Sequence, residues 1–176
     1  LVVGAQGSDK TITNVYKSIN KGLSWAQSGT AASDVNSYHK AKIVQKADGS
    51  LWMLSQLEKG AGGGMEQSFS YDGGFTWTNY EYNLDPPFIS PGARFEITRL
   101  KSGNLALVSY ATTNSRTDLS IYLSKDDGTT WNHSILLDNR TEVSYPDLAQ
   151  DEEGTIYIIW DMGRNEQKEM RMSIMT

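Results

Sequence analysis

Three copies of one short motif constrain this chain more than anything else in it. Ser70-Tyr-Asp-Gly-Gly-Phe-Thr-Trp77 and Ser124-Lys-Asp-Asp-Gly-Thr-Thr-Trp131 share the pattern S-x-D-x-G-x-T-W. Ser18-Ile-Asn-Lys-Gly-Leu-Ser-Trp25 is a weaker copy, with Asn20 for Asp and Ser24 for Thr. The tryptophans recur 52 and 54 residues apart. A second marker keeps the same phase: Asp48-Gly49, Ser102-Gly103 and Glu153-Gly154 each lie between two short apolar runs. From this turn to the glycine of the next motif is 25 residues both times, Gly49 to Gly74 and Gly103 to Gly128. Two markers in phase describe a repeating unit of about fifty residues, built of four short strands joined by tight turns.

Each motif reads as a hairpin tip. Ser and Asp side chains accept hydrogen bonds from backbone N–H groups inside a turn, and the glycine supplies a positive φ. The tryptophan opens the outgoing strand and can bury a large area there. Asn20, Asp72 and Asp126, with Trp25, Trp77 and Trp131, are therefore structural candidates. A catalytic acid has no reason to recur at every unit. The apolar runs alternate as strands do (Leu105–Tyr110, Thr155–Trp160, Leu51–Leu54), and helices look minor or absent.

The period divides the chain into a partial unit (1–33), two full four-strand units (34–86 and 87–140) and a second partial unit (141–176). An all-β, incomplete propeller of about three and a half blades follows. Rings of this kind need at least four blades, so the reading calls for the rest of a ring, from the same full-length chain or from a second copy. A first residue of Leu, with no charged and apolar leader, reads as a processed or cut terminus.

Other classes are disfavoured. Against 16 basic residues stand 21 acidic ones, a net charge of −5, which argues against an electrostatic nucleic-acid binder. No apolar run is long enough for a membrane span. With no Cys there is no thiolate zinc site, and two His are too few for a His-rich one. No ligand spacing implies a metal or other cofactor.

Motifs of the form S-x-D-x-G-x-T-W resemble the Asp boxes, or BNR repeats, of the sialidase superfamily. Val143–Asp161 is also similar to the last blade of sialidases, with Tyr145 opening an inner strand and an acidic-Gly turn after it. The resemblance implies a six-bladed propeller, of which this chain is the C-terminal half. It implies a glycoside hydrolase acting on a terminal, acidic sugar of an extracellular glycan, with secretion or a periplasmic location. A non-catalytic glycan-binding propeller is the alternative.

In such a fold ligands gather on the face opposite the motif turns. The chain supplies that face with Tyr38, His39 and Lys40; Arg94 and Glu96; Glu142, Tyr145 and Asp147. It adds Gln56, Glu58 and the loop Gly60–Gly64; Tyr110, Asn114 and Arg116; Asp161, Arg164 and Glu166. By the resemblance, Tyr145 stands at the nucleophile position. A neutral phenol approaches an anomeric carbon that bears a carboxylate more easily than an anion does, and it needs a base. Arg116 stands where the last carboxylate-binding arginine belongs, and Asp161 at an acidic position after the tyrosine. The glutamate paired with the nucleophile falls at Lys40, and the middle arginine at Gln56. The catalytic candidates are therefore Tyr145, Asp147 and Asp161. The substrate-binding candidates are Arg94, Glu96, Arg116, Arg164, Lys40 and Gln56.

Plainer readings stand beside these. Tyr145 can be a packed aromatic at a strand start, and Asp147 can cap a turn. Arg94 and Arg116 can pair with Glu96 or Asp118, and Arg164 with Asp161 or Glu166.

Overall fold

The computed structural model describes residues 1–6, 11–33, 40–57, 63–82, 84–164, 166 and 168–176. Tyr38, His39, Glu58 and the first three residues of the Gly60–Gly64 loop lie outside the described residues. Thirteen strands and no helix make up the described secondary structure, so none of it is a helix long and apolar enough to cross a membrane. The chain forms two compact units, Leu1–Leu84 and Asp85–Thr176.

The first unit holds two antiparallel three-stranded sheets. One is β1 (Val2–Gln6), β2 (Ile12–Lys17) and β3 (Ala26–Ala32); the other is β4 (Lys42–Gln45), β5 (Leu51–Gln56) and β6 (Met65–Ser70). The second unit has a four-stranded sheet, β7 (Glu96–Arg99), β8 (Leu105–Ser109), β9 (Leu119–Ser124) and β10 (His133–Asp138). Its other sheet is β11 (Val143–Gln150), β12 (Ile156–Met162) and β13 (Glu169–Met175). Within every sheet, strands adjacent in sequence are adjacent in space.

Local turn chemistry explains this meander. Gly49, Gly103 and Gly154 all hold φ near +90° in the first hairpins of their sheets. There the Gly49 and Gly103 amides donate back to Lys46 and Leu100 at 3.0 and 2.9 Å. The eight-residue turns repeat one network three times. Ser18, Ser70 and Ser124 accept from the amides of Gly22, Gly74 and Gly128 at 2.8, 2.9 and 2.8 Å. Asn20, Asp72 and Asp126 accept from the amides of Ser24, Thr76 and Thr130 at 2.9, 2.9 and 2.8 Å. These bonds hold the Asp126 carboxyl down to about 2, the Thr130 hydroxyl contributing most.

Two expectations need correcting. Of the tryptophans of these turns, Trp25 is exposed and does not insert, whereas Trp77 and Trp131 are half-buried, Trp77 against the core of Val15, Ala31, Met53 and Tyr80 and Trp131 edge-on against Phe88. Each indole N–H donates to the carbonyl of the turn glycine, at 3.1, 3.3 and 3.2 Å, which lays the ring along its own turn. The second sheet also lacks a full fourth strand. After Trp77 the chain runs beside β6, where the described residues form one isolated bridge, Gln67–Glu81, and the Thr78 amide donates to the Phe69 carbonyl at 2.9 Å. Tyr80 explains the break, because it turns inward and is buried. Its hydroxyl meets Ser55, Thr13 and Met53 at 3.1, 3.0 and 2.9 Å, and burial pushes the phenol up to about 12.

Central strands β5 and β8 are buried along their whole lengths. They are covered on both faces, as near-continuous apolar runs require. In the second unit the core joins Ala106, Val108, Leu119, Val143, Ile158 and Trp160. One charged group is built into its edge. Asp138 is buried, accepts from the Trp160 indole at 3.0 Å and is paired with Arg140 at 2.6 Å. Chiefly through Arg140, its carboxyl is held down to about 2. A carboxyl depressed in the folded state adds stability above its unfolded value, and loses it as pH falls through the folded one. Asp138→Asn should cost about 2 kcal/mol at pH 7. In urea titrations that deficit should shrink between pH 4 and pH 2. A pH-independent deficit would show that the pair contributes only packing.

Candidate active site

In the second unit the described residues bring Tyr145 together with three arginines. The guanidinium carbons of Arg94, Arg116 and Arg164 lie 5.4, 5.6 and 3.9 Å from the centre of its ring. These distances are within cation–π reach.

The backbone builds this cluster at a defect in a ladder. β11 pairs with β12 through Ser144–Asp161 and again through Asp147–Ile159, and the register shifts between them. Tyr145 and Pro146 form that bulge. Pro146 has no N–H to offer a ladder, so a bulge is a place where it fits. Tyr145 has φ +52°. This left-handed conformation costs a non-glycine residue on the order of 1–3 kcal/mol, and a following proline disfavours it further. The bulge re-aims the Tyr145 side chain out of the regular alternation.

Each arginine has its own support. Arg94 stands between buried Ala93 and Phe95, and Ala93 is clamped by Ser90, whose hydroxyl both donates to its carbonyl and accepts from its amide. Arg116 donates to the Ser144 hydroxyl at 3.0 Å, and its carbonyl accepts from the Val143 amide at 3.1 Å. Arg164 follows Gly163 in a turn closed by the Glu166 and Lys168 amides, and pairs with Asp161. That carboxylate holds Arg164 even more firmly protonated than usual. The cross-strand pair Ser144–Asp161 thus anchors two of the three arginines beside the bulge. Sequence reasoning gave Ser144 no role. Its signal was adjacency to Tyr145 alone.

The remaining candidates are placed differently. Glu96 is buried at the head of β7. Asp147 is exposed opposite Ile159, and its carboxylate accepts from the adjacent Leu148 amide at 2.9 Å. Lys40 and Gln56 belong to the first unit. Lys40 is half-buried ahead of β4. Gln56 is wholly buried at the end of β5, and neither amide atom has a hydrogen-bond partner among the described residues. Chemically, the Tyr145 cluster combines a phenol with the charges of Arg94 and Arg116 and with the Arg164–Asp161 ion pair, a surface suited to an anionic, hydroxyl-rich molecule.

The family model described as BNR repeat-like domain matches residues 1–158. No curated protein matches the sequence. Among solved structures, the intramolecular trans-sialidase from Ruminococcus gnavus, in complex with oseltamivir carboxylate, superposes with a TM-score of 0.79 at 19% identity. The match covers 99% of this chain and 40% of that one. The leech intramolecular trans-sialidase, complexed with 2,7-anhydro-Neu5Ac, gives 0.77 at 18% identity, over 99% of this chain and 29% of that one. The NanB sialidase of Streptococcus pneumoniae gives 0.72 at 15%, over 94% and 26%. The shared feature is the fold, a sialidase-type β-propeller. The chain spans less than half the length of each of these three relatives.

Proposed function

Because the chain belongs to the BNR repeat-like domain family, we propose that it is a sialidase-related module whose Tyr145 cluster receives a terminal, acidic sugar of an extracellular glycan. One observation carries this reading: three arginines from separate loops converge on the ring of one tyrosine. Such a concentration of positive charge calls for an anion.

In the hydrolytic form of the proposal, the Tyr145 oxygen attacks the anomeric carbon. Its proton passes to a carboxylate, for which Asp161 is our candidate. A separate acid protonates the leaving oxygen, and water later cleaves the tyrosyl intermediate. Arg94 and Arg116 orient the sugar's anionic group. Arg164, tied to Asp161, fixes the tyrosine ring. Further blades would complete the ring, packing against the exposed Ile159, Met170, Met172 and Ile174.

Gln56 favours a second reading, a glycan-binding propeller without turnover. By resemblance its position calls for an arginine, and the residue there is sealed inside the sheet.

Calorimetry with 3′-sialyllactose tests the site. We expect saturable binding that weakens about 10- to 100-fold in Arg116→Ala, the loss expected when a charged hydrogen-bonding partner is removed. Equal affinity in the variant would remove the cluster from the proposal.

A further inference from the structure

Tyr110 follows the last residue of β8 and is wholly buried, packed in the core with Val143, Trp160 and Met162. Its hydroxyl forms no hydrogen bond among the described residues. A buried hydroxyl without a partner is costly, and phenylalanine would fill the same space without that cost. Packing therefore does not explain the oxygen.

Its surroundings do. Tyr110 shares one buried cluster with Val143, just before the bulge, and Trp160, opposite it, and its phenol lies in the fields of Arg116 and Asp161 beside the Tyr145 backbone. Tyr145 carries the second local cost, a left-handed backbone in a bulge before proline. Two unfavourable features thus meet beneath one ring, as happens where a site requires them.

We propose that Tyr110 is the positioning residue for Tyr145: its hydroxyl steadies the bulge backbone so that the Tyr145 phenol stays presented to the three arginines when a ligand fills the site. Tyr110 itself does not touch the ligand. The inference rests on the reading of Tyr145 as the ligand-contacting tyrosine.

The test is Tyr110→Phe in the full chain, with tyrosine labelled at Cζ by carbon-13 and the Tyr145 signal identified by its loss in Tyr145→Phe. We expect the melting temperature to hold or rise slightly, because an unpartnered hydroxyl is removed. The Tyr145 signal should move or split, and affinity for 3′-sialyllactose should fall about tenfold. A polar group that merely supported the fold would give the opposite pattern, a lower melting temperature with Tyr145 undisturbed. A Tyr145 signal at its wild-type position overturns the proposal, whatever the melting temperature. If wild-type protein does not bind 3′-sialyllactose, the functional reading fails, and the Tyr145 signal still decides the positioning role. The Tyr145→Gly background guards against a poorly folding variant, because glycine takes φ +52° without strain. There the effect of Tyr110→Phe on melting should differ from its effect in wild type. Equal effects in both backgrounds also overturn the proposal.

Discussion

Tyr145→Phe should lower kcat/KM for sialoside cleavage by about a thousandfold or more, while the dissociation constant changes by less than about threefold. The substitution removes one oxygen and leaves everything that positions the ring. Phenylalanine meets the same strain at φ +52°, and it presents the same face to Arg94, Arg116 and Arg164. Loss of turnover with retained binding therefore isolates the nucleophile. Unchanged turnover would reject Tyr145 in that role. A wild-type chain that binds sialosides without cleaving them would favour the non-catalytic reading suggested by Gln56.

Gly29→Ala should destabilise the first unit by about 3 kcal/mol, on the order of 10 °C in melting temperature. The cause is close approach. A Cβ at residue 29 would lie 2.6 Å from the Phe75 carbonyl oxygen and 2.7 Å from that of Gly74. Both are backbone atoms of the second motif turn, which is already tied down: Lys17 and Ser28 donate to the carbonyls of Gly73 and Gly74 at 3.1 and 3.2 Å. The turn cannot retreat without breaking these bonds. Gly49→Ala is the matched control. Its Cβ meets nothing within 4 Å, and only the φ of +88° opposes it, a cost of about 1 kcal/mol. Equal losses at both positions would show that the sheet and the turn do not depend on contact at Gly29.

Much of the fold could be read from the sequence because its determinants are local. Ser70, Asp72, Gly74 and Thr76 close their turn with bonds among neighbours, so spacing alone exposes the repeat. The same holds for the Gly49, Gly103 and Gly154 turns. Where tertiary packing competes with local pattern, the sequence is a poorer guide. The segment after Trp77 could alternate as a strand, but with Tyr80 buried against Ser55 and Thr13 it keeps one isolated bridge and the Thr78–Phe69 bond in place of a full ladder. Trp25 looks like a core residue by type and lies exposed along its own turn.

The site divides in the same way. Tyr145, Arg94, Arg116, Arg164 and Asp161 could be named as candidates from their places in the repeat, and they lie together in the structure. The support of two arginines by the pair Ser144–Asp161 needs the cross-strand register, and the Tyr110 hydroxyl, without a hydrogen bond among the described residues, needs burial. Neither property is written in the local sequence.

The central claim is that the cluster around Tyr145 is where this chain receives an acidic sugar. A crystal structure of the chain soaked with oseltamivir carboxylate, the ligand present in the Ruminococcus gnavus relative, tests it most directly. The account predicts the carboxylate against Arg94 and Arg116, with the ligand ring over the Tyr145 hydroxyl. Density for the ligand elsewhere on the protein, with the Tyr145 cluster left vacant at saturating concentration, would contradict it.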